Sequence, residues 1–188
     1  MKIKRGRPAP PARLQQPTHK GQSHMMRQIP NPGVLNIADS FYEAAQALNK
    51  FSDSRMSVPT IVNATFALEV FLKSLNIRFS CEEPTEIMSG LTAFGRVREV
   101  PLETGHMPSK LFCALDATIK NKLENCFAQE QYRNKPTTLI EALQTYDGDF
   151  QNWRYIFEGR AKPFDIQRLL ELLRFLSATI HGLSPKWD

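Results

Sequence analysis

Apolar residues recur at steps of three and four from Phe164 to Gly182 (FDIQRLLELLRFLSATIHG), the longest clean helical pattern in the chain. Leu169, Leu172, Leu173, Leu176 and Ile180 form one stripe, which predicts a helix that buries this side against a core. Asp165 can cap its start, and Gly182 can take the left-handed position just past its end. The other side reads Gln167, Leu170, Glu171, Arg174, Ser177, Ala178 and His181, and is narrow, small and partly polar. At about 100° per residue, Arg174 and His181 lie on one face, roughly 10 Å apart along the axis, with Ser177 and Ala178 between them.

The same periodicity places three further helices upstream. Ile37, Phe41, Ala44, Leu48 and Phe51 predict a first amphipathic helix, closed by Ser52-Asp53-Ser54. A second opens near Ser57, with Pro59 in its first turn, and runs to about Asn76. Its sequence, VPTIVNATFALEVFLKSLNI, is apolar on most sides, the mark of a central bundle helix. A third runs from about Pro108 to Ala128 on Leu111, Leu115, Ile119, Leu123 and Phe127. Between Lys135 and Glu158, Thr137 or Thr138 caps a helix with Leu139, Ile140 and Leu143 inward. Asp147-Gly148 interrupts that helix, and Asn152 to Glu158 (NWRYIFE) adds a helical turn or two.

Arg78 to Met107 breaks the helical pattern at Pro84, Gly90, Gly95, Pro101 and Gly105. It reads as a long loop with a candidate short hairpin, Thr92 to Val100, turning at Gly95-Arg96. The prediction is an all-α fold: an up-and-down bundle of four to five helices with that loop between the second and third. The second and last helices are expected to be its most buried pair.

Composition changes the picture mainly at the N-terminus. Residues 1–33 are rich in Pro, Gln and Arg and lack apolar periodicity, so they read as a disordered basic tail, with residues 34–188 as the folded body. Residues 1–28 carry seven basic side chains and no acid. The remaining 17 of the 24 basic residues face all 19 acids, leaving the body at −2 although the whole chain is +5. The tail could touch nucleic acid phosphates or be a solvated extension; Met25 and Met26 are plausible alternative starts. No apolar run reaches the roughly 18 residues of a membrane span, and the N-terminus lacks a secretory h-region. Cys81, Cys113 and Cys126 are odd in number and lack metal spacing, so they read as reduced, buried thiols of a cytoplasmic protein.

The chain has no P-loop, GxGxxG, GxSxG, HExxH or CxxC pattern, which removes most nucleotide-hydrolase, Rossmann, α/β-hydrolase and zinc readings. No cofactor or metal is expected. Four positions remain as candidate chemistry beside the Arg174–His181 face. Glu69 and Lys73 are spaced i, i+4 in the favourable order, either a plain surface ion pair or a lysine near a phosphate site. Arg154 stands between Trp153 and Tyr155, which suits a phosphate or base platform and equally a packing corner paired with Glu158. His106, after Gly105, reads as a turn or capping residue rather than a catalytic one.

Four features in order, FALEVFLKSL, GHMPSKLF, WRYIFE and Arg174-x6-His181, resemble the HEPN superfamily of all-α bundles over about Ile37 to Gly182. That family's signature is an arginine followed after four to six residues by a histidine near the end of the bundle. The resemblance implies metal-independent RNA cleavage of the toxin or phage-defence type, with Arg174 and His181 as catalytic residues at a homodimer interface. An arginine offers a planar donor fork to the scissile phosphate, and a histidine can act as acid or base near neutrality. Lys73, Arg154 and Tyr155 are the expected RNA contacts. Two positions depart from the pattern: Phe175 stands where active members carry a polar residue, and His181 lies at the helix end. The alternative is a non-catalytic HEPN-like dimer that binds RNA, a nucleotide or a protein. The chain carries no adjacent nucleotidyltransferase pattern, so an antitoxin would be a separate protein.

Overall fold

The computed structural model describes residues 28–51, 54–81, 85–93, 97–130, 138–155, 163–183 and 186–187. Most of the expected tail, residues 1–27, lies outside them, as do Ile156 to Lys162 and with them the Glu158 end of the expected Arg154–Glu158 pair. The described chain is mainly helical, with short antiparallel strand pairs. In order it forms β1 (Gln28–Ile29), α1 (Pro32–Asn49), a 3-10 turn (Ser54–Met56), α2 (Ser57–Ser74), β2 (Ile77–Cys81), β3 (Thr85–Met88), β4 (Leu91–Ala93) and β5 (Val97–Pro101). Then come α3 (Pro108–Cys113), α4 (Ala117–Gln129), α5 (Leu139–Gln144), α6 (Asp149–Arg154), α7 (Ile166–His181) and β6 (Lys186–Trp187).

α2 is the central helix, as its all-round apolar sequence predicts. It packs against α1, α3, α6 and α7. Ala64, Ala67, Leu68, Phe71 and Leu72 are all fully buried, the alanines letting neighbouring backbones approach. Each buried Leu or Phe contributes about 1.5–3 kcal/mol of burial free energy. The α7 stripe is buried as expected: Leu169, Leu172, Leu173, Leu176 and Ile180 all face the core. Asp165 caps α7, its side chain accepting from the Arg168 backbone N–H at 3.1 Å.

Five expectations are corrected. Gly182 is not left-handed: at φ −76° it continues the helical turn, because Leu183 folds back as a buried residue and its N–H reaches the Ile180 carbonyl at 3.0 Å. The third helix is two helices. Asp116 accepts from the Thr118 N–H at 2.8 Å and restarts the helix as an N-cap, while Leu115 is buried in the break. The loop after α2 holds nested strand pairs, and the flanks of the expected hairpin do not pair with each other; Gly95-Arg96 itself lies outside the described residues. Thr92 and Ala93 pair back onto Glu86 and Thr85, whereas Val97 to Pro101 pair with Cys81 to Ile77. The turn sits at Ser89-Gly90, where Gly90 takes φ +81°, a conformation glycine adopts without a Cβ penalty.

The body also begins earlier than residue 34. Gln28–Ile29 pairs with Lys186–Trp187, and Ile29 and Asn31 are buried. Asn31 caps α1 through the Val34 N–H at 3.0 Å, donates its own N–H to the Ser74 carbonyl at 2.8 Å, and reaches Glu99 through its side-chain amide at 3.2 Å. Lastly, Cys113 is exposed rather than buried, since it ends α3 on the outer side.

Candidate functional site

The two faces of α7 divide as the spacing predicts. Consecutive residues 100° apart alternate between core and surface: Phe175 and Leu176 are buried, while Arg174, Ala178 and His181 are exposed. Phe175 therefore does not enter the expected cleft. Its ring packs edge-on against Phe127 of α4, with centroids 5.3 Å apart. The apolar residue after the arginine is a core residue here, and the candidate face is left to Arg174, Ser177, Ala178 and His181.

Each charged member of that face is held by a carboxylate from another element. Arg174 donates to Glu130 at 2.7 Å, where Glu130 ends α4. His181 Nε2 lies 2.9 Å from Asp39 Oδ2, and Ser177 Oγ donates to the other oxygen of Asp39 at 3.3 Å. Asp39 comes from α1, so α1 and α7 together position the imidazole. With Nε2 facing the carboxylate as donor, the Nδ1 edge is left as acceptor. Arg174 also walls a groove of about 370 Å³ between α1 and α7, with Tyr42, Gln46, Lys50, Gln167 and Glu171. Burial pushes the Tyr42 hydroxyl above its ordinary pKa, and the nearby Arg174 charge pulls it partly back. Arg174 thus projects its field into the groove as well as toward Glu130.

The three expected RNA contacts gather elsewhere. Lys73 lies 2.5 Å from Glu69 on α2, and Glu69 is only 1% exposed. His106 closes on the same carboxylate, its Nδ1 lying 3.0 Å from both oxygens. This pair is therefore not a plain surface ion pair. His106, expected as a turn residue, was not expected to reach α2. Its ring tilts against Phe150 at 5.8 Å, and Phe150 stacks on Phe66 at 5.0 Å. The Arg154 guanidinium sits over Phe150 at 6.0 Å and over Tyr155 at 5.6 Å, with Tyr155 42% exposed. Trp153 turns away to pack on Phe164.

Sequence reasoning singled out Arg174, His181, Lys73, Arg154 and Tyr155 and paired Lys73 with Glu69, but it named no carboxylate for Arg174 or His181. Asp39 and Glu130 are 142 and 44 residues from His181 and Arg174, and no local pattern announces such pairs. Glu69 did carry a signal: an acid in the middle of a helix that is apolar on most sides. Among the described residues, no three His, Cys, Asp or Glu side chains gather in a way that could hold a metal ion, and no helix is long and apolar enough to cross a membrane. No protein-family model, curated protein or solved structure matches the chain.

Proposed function

We propose that this chain is a HEPN-like helical protein that engages RNA through the Arg174–Ser177–His181 face of α7, meeting the same face of a second copy. The observation that carries the reading is the separation of this face from the core: its cation and imidazole stand clear of the leucine stripe, with small residues between them. Two such helices can approach closely at Ser177 and Ala178, which brings two arginines and two histidines around one strand.

In this arrangement Arg174 exchanges Glu130 for a phosphodiester, which its planar fork binds in two places. Asp39 orients His181 through Nε2 and leaves Nδ1 as the acceptor, the positioning part a carboxylate plays beside an acid–base imidazole. His181 then takes the proton of a ribose 2′-hydroxyl as that oxygen bonds to the adjacent phosphorus and the bond to the 5′ oxygen breaks. The partner histidine, protonated, delivers a proton to the departing oxygen. The products are a 2′,3′-cyclic phosphate and a 5′-hydroxyl.

A second reading, a HEPN-like dimer that holds RNA without cutting it, is favoured by one specific feature. Glu130 already neutralises Arg174 and Asp39 already occupies His181 Nε2, so strand binding must displace or reorganise them. Incubating purified protein with mixed RNA in chelator-containing buffer separates the two. Cleavage by wild type, lost in both Arg174→Ala and His181→Ala, supports the nuclease. No cleavage, with RNA binding lost in both variants, supports the holding protein. Binding and cleavage unchanged in both variants would remove α7 from the function altogether.

A further inference from the structure

Glu69 presents a physical problem that α7 does not explain. A carboxylate that is 1% exposed, in the middle of the most buried helix, carries a large desolvation cost unless it is paired on every side. Lys73 satisfies one oxygen from one turn along the same helix. His106 satisfies both from a different element, 37 residues away. An ionised carboxylate only accepts, so the Nδ1 atom of His106 carries the proton. That fixes the tautomer and turns the Nε2 lone pair outward. The imidazole is itself 46% exposed. It is delivered by Gly105, whose φ of +141° is open to glycine and strained for other residues.

His106 lines a pocket of about 230 Å³ together with Glu103, Thr104, Lys110 and Gln151. Gln151 and Arg154 are three residues apart on α6 and so are neighbours along that helix. Phe150 touches both His106 and Arg154, and Arg154 lies over the exposed ring of Tyr155. The pocket thus has a cation and an oriented imidazole inside, hydroxyl and amide groups beside them, and a cation–aromatic platform one helical turn away. It has room for a phosphate and a sugar, not for a folded RNA.

We infer that the pocket built on the Glu69-held His106 is a binding site for a nucleoside monophosphate group, with Lys110 and the Gln151 amide donating to the phosphate, His106 Nε2 and Glu103 accepting from the ribose hydroxyls, and the base on the Arg154–Tyr155 platform. Glu69 is a positioning residue, acting only through His106. The site does not rest on the reading of α7. The same group occurs free and at the phosphorylated end of an RNA strand, and the two sources differ in how much chain follows the sugar.

The full chain is titrated with adenosine monophosphate, inorganic phosphate and adenosine, following the His106 ring by nitrogen–proton NMR. Adenosine monophosphate should move the His106 resonances saturably and bind more tightly than either fragment. Lys110→Ala should weaken binding roughly tenfold or more, the scale of a lost charge-assisted hydrogen bond, and His106→Ala roughly fivefold, the scale of a neutral one. Glu69→Gln should shift the His106 ring toward a mixture of tautomers and weaken binding similarly. If that variant does not fold, the wild-type tautomer decides the point: a proton on Nε2 rather than Nδ1 overturns the positioning role. Arg174→Ala should leave all of this unchanged, so loss of RNA handling by α7 and loss of this site are read separately. A 5′-phosphorylated trinucleotide binding better than the free monophosphate assigns the site to strand ends, and the reverse assigns it to the free nucleotide. The proposal is overturned if millimolar adenosine monophosphate leaves His106 unmoved, if phosphate alone binds as well, or if His106→Ala binds like wild type.

Discussion

Arg174 and Phe175 are adjacent in the chain, yet their replacement by alanine should separate function from stability. Phe175 is 4% exposed and packs edge-on against Phe127 beneath α4. Truncating it removes a buried ring and leaves a cavity that the surrounding leucines cannot fill without moving. A buried Phe→Ala change costs about 3–5 kcal/mol, aromatic contact included. Arg174 is 60% exposed, and it pairs with Glu130, itself 24% exposed. A pair that open to solvent is worth about 0–1 kcal/mol. For a body of this size, 1 kcal/mol moves the thermal midpoint by about 2–4 °C. Phe175→Ala should therefore lower Tm by roughly 6–20 °C and Arg174→Ala by no more than about 4 °C. Helical circular dichroism during heating, with urea titration as a check, measures both. RNA affinity at low temperature should show the reverse order, with Arg174→Ala the more damaging. If Arg174→Ala melts as early as Phe175→Ala, the Glu130 pair is structural and the α7 face is not free to bind a ligand.

Two further outcomes follow from the same packing. Tyr42 has its pKa raised by burial, so the unfolded chain loses that proton first as pH rises; stability should be unaffected below the ordinary tyrosine value of about 10 and fall above it, through the raised folded value. Arg174→Ala should push the Tyr42 titration still higher, which tyrosinate absorbance compared with a Tyr42→Phe control will read, and a downward shift would show that Arg174 does not act on Tyr42. At the N-terminus, removing residues 1–27 should leave Tm within a few degrees. Extending the deletion through Asn31 should lower it clearly, because it removes the buried Ile29 and a cap worth about 1 kcal/mol. Equal Tm values for the two truncations would show that the β1–β6 pairing and the cap contribute nothing.

What the sequence alone determined lies where information is local. The period of the leucines placed α7 and its buried face, and Asp165 marked its start. The all-round apolar pattern of FALEVFLKSL made α2 central, and the 20° drift over seven residues put Arg174 and His181 on one side. Even the strength of Asp116 as a cap is a local property, though the continuing apolar stripe masked the break it makes.

Tertiary structure decided everything that depends on pairs distant in the chain. Strand partners in the loop after α2 depend on register between segments up to 24 residues apart, such as Ile77 with Pro101, so the expected local pairing within Thr92 to Val100 lost to a nested pairing of its flanks. Phe175 read as an apolar departure from the family pattern beside Arg174, but one helical step carries it to the core side of α7. The carboxylates of Asp39, Glu130 and Glu69 carry no label naming the group they hold. The i, i+4 spacing announced the lysine beside Glu69, but a buried acid must find its remaining partners wherever the fold brings them, and for Glu69 that is a histidine on a loop the periodicity could only describe as irregular.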